Sequence, residues 1–95
     1  MEKPAYKLVN VAQRGMEHMG FYVPAETVRY GVCRGDFVKL IFDDKERMWV
    51  RVTEVEDEGW YQGVLRSYPV MVDGLRFDDT VRFHARHVAD MLVNN

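Results

Sequence analysis

The sequence predicts an α+β protein that is mostly β, a small SH3-like antiparallel barrel of about five strands with an N-terminal amphipathic helix packed on it. Three observations predict this. Apolar residues recur at spacings of three and four near the N-terminus, then at every second position from Asp36 onward. The alternating stretches are short and separated by turn-forming clusters, as a strongly twisted sheet requires. The chain has 95 residues, enough for one modest core, so a single domain, 1–95, is expected.

The helix is expected over 5–19, where Leu8, Val11, Ala12, Gly15, Met16 and Met19 form one stripe and Lys7, Asn10, Gln13, Arg14 and Glu17 the wet side. Pro4 suits its first turn and Gly20 a left-handed C-terminal cap. Gly15 costs about 1 kcal/mol of propensity relative to alanine, so the helix needs a partner surface, for which Phe37 and Trp49 are natural targets. Residues 21–35 read as a connector with a short helical turn, opened by Pro24 and ended by Gly31.

The barrel is expected over 36–92. From Asp36, Val38, Leu40 and Phe42 point one way while Phe37, Lys39 and Ile41 point the other. Asp43-Asp44-Lys45-Glu46 is turn chemistry, and Met48 to Val55 resumes the alternation, with Val50 and Val52 inward. Glu56-Asp57-Glu58-Gly59 makes the next turn. Trp60 to Arg66 is a third strand, in which Gly63 marks a bulge or tight bend. Thr80 to Phe83 is a fourth, Val88 to Leu92 a short final strand or turn, and Asn94 and Asn95 should fray. An echo links Val32-x-x-Gly35-Asp36-x-Val38 with Leu75-x-x-Asp78-Asp79-x-Val81, each an apolar anchor, a tight turn and then a strand.

Composition narrows the function. A charge of −2, from 13 basic and 15 acidic side chains, supplies no global field for nucleic acid or anionic lipid, so any such binding is local. The single cysteine, Cys33, excludes an internal disulfide and fits a reducing compartment. With no signal-like N-terminus and no apolar run of membrane length, a cytoplasmic protein without a membrane partner is expected. Phosphate-binding glycine loops are absent and no cofactor is expected.

The order Phe21-x-Val23-Pro24, Gly35-Asp36-x-Val38-Lys39-Leu40, Glu46-Arg47-Met48-Trp49-Val50-x-Val52, Gly63-x-Leu65, Pro69 and Asp79-x-Val81-x-Phe83-x-x-x-His87-Val88-x-Asp90 resembles the YegJ-like family of small bacterial proteins, a domain of unknown function. The resemblance covers about residues 21–91. It implies a small, mostly β bacterial domain with no assigned catalysis, and it carries no catalytic residue onto this chain. Asp78 departs from the pattern, standing where the second turn would more often carry glycine.

Parity supplies the candidate site. If Val38, Val50, Leu65 and Val81 face the core, Lys39 and Arg51 face outward, joined by Arg66 and Arg82 and interleaved with Phe37, Trp49 and Trp60. Lys39, Trp49, Arg51, Trp60, Arg66 and Arg82 are therefore the candidate binding residues of a non-enzymatic module for a protein or peptide partner. The alternative is single-stranded nucleic acid on the same face, and an open sheet edge would also permit a homodimer. His84-x-x-His87-x-x-Asp90 offers metal-capable side chains at helical spacing, but a fourth ligand is missing nearby and the flanking pattern is strand-turn-strand. No catalytic residue and no metal ligand is assigned. Arg34-Gly35-Asp36 spells an adhesion tripeptide but stands at the start of a strand in an expected cytosolic protein, so it reads as coincidence.

Overall fold

The computed structural model describes residues 6–93. Its elements are α1 (Val11–Glu17), α2 (Glu26–Arg29), β1 (Phe37–Phe42), β2 (Glu46–Val55), β3 (Trp60–Leu65), β4 (Thr80–His84) and β5 (Asp90–Leu92), with 3₁₀ turns at Asp57–Gly59 and Ala85–His87. The strands form one five-stranded antiparallel sheet in the order β4-β3-β2-β1-β5, open between β4 and β5. Among the described residues no helix is long and apolar enough to cross a membrane.

The expected alternation builds one sealed face. Val38 lies opposite Val50 and Val50 opposite Leu65, Leu40 opposite Met48, and Val52 opposite Gly63 and then Val81. These side chains form the main core with Phe42, Tyr61 and Phe83, roofed by Val32, Val72, Leu75, Ala85 and Val88. Burying each such large apolar side chain is worth about 1.5–3 kcal/mol. The roof comes from the connector, the long β3–β4 connection and the 3₁₀ turn before β5, so the loops are part of the core.

Two buried polar groups fasten that roof. Arg29, on α2, donates from Nε to the Pro24 carbonyl at 2.9 Å and from Nη1 to the Ala85 carbonyl at 3.3 Å. The Tyr61 hydroxyl donates to the Arg29 carbonyl at 2.9 Å. At the surface, Glu46 accepts the backbone N–H groups of Val70, Met71 and Val72 at 2.8, 2.9 and 3.2 Å, pinning the β3–β4 connection to the start of β2. The two echoed turns behave alike: Gly35 and Asp78 both take left-handed φ, 94° and 75°, and Val32 and Leu75 are both buried anchors.

The N-terminal region departs from expectation. The helix occupies Val11–Glu17 rather than 5–19, and the expected positions Pro4 and Ala5 lie outside the described residues, as do Asn94 and Asn95. The reason is competition from the sheet. Leu8 bridges to Phe42, the Val9 N–H donates to the Ile41 carbonyl at 3.0 Å, and the Asp43 N–H donates to the Lys7 carbonyl at 2.7 Å, so residues 7–9 are held extended. Asn10 then caps the helix through its side chain, accepting from the Gln13 N–H.

The helix is too short to bury its whole stripe. Only Val11 is buried, packing with Ile41 and Ala89, while Met16 and Met19 are 87% and 104% exposed. Trp49 and Phe37 are therefore not covered by Met16 and Met19. Gly15 has a positive role, because a Cβ there would lie 2.4 Å from Val23 Cγ2. Its absence lets the connector lie against the helix.

The bulge also falls elsewhere. The β2–β3 register shifts between Val52 and Glu54, so the extra residue is Thr53, on the strand facing Gly63. Gly63 is the reason β3 can follow: a Cβ there would meet Val50 Cγ1 at 2.4 Å and the Arg51 carbonyl oxygen at 2.6 Å. Gly63→Ala is expected to destabilise the fold by about 1–3 kcal/mol, read as a lower urea midpoint with unchanged slope.

The contacts of Glu46 give a second expectation. The N–H groups of Met71 and Val70 hold its carboxyl below the ordinary value of 4.5. A depressed carboxyl contributes stability that is present above the unfolded-state value and is lost as pH falls through the folded one. Glu46→Gln should therefore flatten the acid limb of stability and speed amide exchange at Val70, Met71 and Val72, measured by hydrogen–deuterium exchange.

Candidate functional site

Opposite the core, the sheet carries the residues that parity selected. Lys39 faces Trp49 across β1 and β2, and Phe37 faces Arg51, which in turn faces Val64. On β3 and β4, Gln62 faces Arg82 and Trp60 faces His84. Lys39, Trp49, Arg51, Trp60 and Arg82 thus share one face, and Arg66, just past β3, joins them beside Trp49 through its N–H to the Trp49 carbonyl at 2.9 Å. α1 and the connector cover only the Ile41 corner of this face.

The six residues do not form a single cluster. Lys39 Nζ stands 4.7 Å from the centre of the Trp49 ring at one end. At the other, the Arg82 guanidinium lies 4.2 Å from the Trp60 ring and Arg86 lies 5.2 Å from it. Arg51 lies between the two pairs, at a depression of ≈ 430 Å³ lined by Phe37, Arg51, Thr53, Val64 and Arg66. Arg86 and the stacked pair Tyr68 and Phe77 were not foreseen, because strand parity says nothing about side chains on turns. Phe77 has Tyr68 parallel to it at 4.4 Å and the Arg66 guanidinium at 4.5 Å.

Two of the arginines are already matched. Arg66 pairs with Asp78, and Arg82 pairs with Glu56 at 3.0 Å. Bonds from Gln62 and Arg82 hold the Glu56 carboxyl below its ordinary value. Arg51 is exposed, and among the described residues its guanidinium has no ion pair or hydrogen bond. It is the uncommitted charge at the centre of the face.

His84, His87 and Asp90 do not assemble into a metal site. His84 Nδ1 accepts the Arg86 N–H at 3.1 Å, and its Nε2 donates to the Glu58 carbonyl at 2.9 Å. His87 Nδ1 accepts the His84 N–H at 2.9 Å. These nitrogens hold backbone, and Asp90 stands on β5 opposite Lys39, accepting the Met91 N–H. Among the described residues no three of His, Cys, Asp and Glu could hold a metal ion together. Cys33 is exposed, its Sγ donating to the Gly31 carbonyl at 3.4 Å. Asp36 is buried and accepts the Cys33 N–H at 2.8 Å, so the Arg34-Gly35-Asp36 tripeptide does not display its carboxylate.

No protein-family description, curated protein or solved structure matches this chain.

The histidines set an acid limit on the fold. Burial pushes the His87 ring down to about 4 from 6.5, and burial also lowers His84. A histidine kept neutral in the folded state contributes stability that is complete above its unfolded value and declines as pH falls toward the folded one. The thermal midpoint should therefore fall between about pH 6.5 and 4. His87→Asn, whose Oδ1 can replace Nδ1 as acceptor for the His84 N–H, should flatten that decline without abolishing folding.

Proposed function

We propose that this protein is a non-enzymatic interaction module that binds an acidic protein or peptide segment on the outer face of its sheet. The observation that carries the reading is that both tryptophan rings of this face, and the Phe77 ring beside them, are capped by the chain's own cations. Lys39 lies over Trp49, Arg82 and Arg86 lie around Trp60, and Arg66 lies over Phe77. A base stacks on a free ring face, so capped rings offer a nucleic-acid strand little platform. Arg66 and Arg82 already hold carboxylates of the chain, and among the described residues Lys39, Arg86 and Arg51 have no ion pair, which leaves ammonium and guanidinium groups on this face for an outside carboxylate.

The strand order and the 3₁₀ turn before β5 support reading the architecture as an SH3-like small barrel, a scaffold whose loops and sheet face are free to recognise partners.

Tryptophan fluorescence tests the reading, since Trp49 and Trp60 both belong to the face. A peptide of repeating Glu-Glu-Leu-Leu should shift the emission saturably, and a lysine-for-glutamate counterpart should not. A thymidine oligonucleotide should leave the emission unchanged even at low salt, where phosphate contacts are strongest. Oligonucleotide binding that weakens steeply with salt, with no response to the acidic peptide, would overturn the proposal.

A further inference from the structure

We infer that the acidic segment seats in a groove centred on Arg51 and that Arg34 forms part of it; this rests on the outer face being the binding face. The groove consists of two depressions that meet. One, of ≈ 430 Å³, is lined by Phe37, Arg51, Thr53, Val64 and Arg66. The other, of ≈ 460 Å³, is lined by Arg34, Gly35, Arg51, Val52, Thr53 and Glu54. Arg51 and Thr53 belong to both. Arg34 reaches this position because the turn before β1 is bonded to β2: the Gly35 N–H donates to the Val52 carbonyl and the Val52 N–H to the Asp36 carbonyl, each at 2.8 Å.

Charge selects the occupant. Among the described residues neither Arg34 nor Arg51 has an ion pair or a side-chain hydrogen bond, whereas Arg66 at the far end is balanced by Asp78. An arginine without a partner offers a planar fork for a carboxylate. Phe37 and Val64 give the first depression an apolar floor beside Arg51. An extended peptide, whose same-side residues recur roughly every 7 Å, would place an apolar side chain on that floor and carboxylates on Arg51 and Arg34. Glu54 lines the second depression and opposes a ligand charged at every unit, as a phosphate backbone is. The occupant is therefore a peptide in which acidic and apolar residues mix, rather than a nucleic acid.

The test uses the whole chain, a fluorescein-labelled peptide of repeating Glu-Glu-Leu-Leu, in which residues on each side of an extended chain alternate between Glu and Leu, its Gln-for-Glu counterpart and a thymidine oligonucleotide, with ¹⁵N NMR of the arginine Nε–H groups. The Glu peptide should move the Arg34 and Arg51 resonances, and the Gln peptide should bind far more weakly. Arg34→Gln and Arg51→Gln should each weaken binding roughly tenfold or more, because each leaves a carboxylate without its partner. Lys45→Gln, in the β1–β2 turn away from the groove, should not change it. Both arginine side chains are exposed, and a retained thermal midpoint would show that the variants fold. If the peptide binds but Arg34→Gln and Arg51→Gln do not weaken it, while Lys39→Gln or Arg82→Gln does, the groove is refuted and the face survives. If the Glu peptide does not bind the wild-type chain, or if the oligonucleotide alone binds, the face reading fails and the groove with it.

Discussion

The molecule is organised around one point of backbone contact, where β2 carries an extra residue at Thr53 and β3 answers with Gly63. A side chain at Gly63 would run into Val50 and the Arg51 carbonyl, so the strands approach there only because none is present. A bulge bends its strand and increases the local twist. It also keeps the alternation honest: strict period two would turn Glu54 toward Val52 and Val81, and an unpaired carboxylate in that core is costly. With the extra residue, Glu54 instead lies opposite Gln62, on the wet side. The same bend shapes the surface above it, since Thr53 and Arg51 line both halves of the groove. Core and surface thus share a single geometric cause.

The two sides of the sheet obey different rules. The inner side is closed by loops that are fastened by buried donors and acceptors, Arg29 to Pro24 and Ala85, and Tyr61 to Arg29. The outer side has few large apolar contacts and many charges, and its rings are stabilised by cations rather than by a covering helix. Its ion pairs are exposed, and pairs of that kind contribute at most about 1 kcal/mol each. They do more to fix side-chain positions than to hold the fold together, which leaves the unmatched arginines as the places where an outside charge gains most.

Much of this was legible in the sequence because period-two alternation is a local signal with a global result. Val38, Leu40, Val50, Val52, Leu65, Val81 and Phe83 read directly as one wall, and the outward parity of Lys39, Trp49, Arg51 and Arg82 followed from it. What was not legible depended on distant pairing. Residues 7–9 have helical spacing but are drawn out by hydrogen bonds to Ile41 and Asp43, so the stripe ends before Met16 and Met19 can pack. The bulge leaves one trace in the sequence, a carboxylate at Glu54 where the pattern asks for an apolar residue. Arg34 left none, because a turn residue acquires its neighbours only when the turn is bonded to β2.

The exposed Cys33, whose sulfur donates to the Gly31 carbonyl, immediately precedes Arg34 at the rim of the groove, and it is the chain's single cysteine. A maleimide dye or spin label would attach there at one defined place without any engineered thiol. The natural sequence thus provides its own attachment point for a reporter beside the surface where a guest would settle.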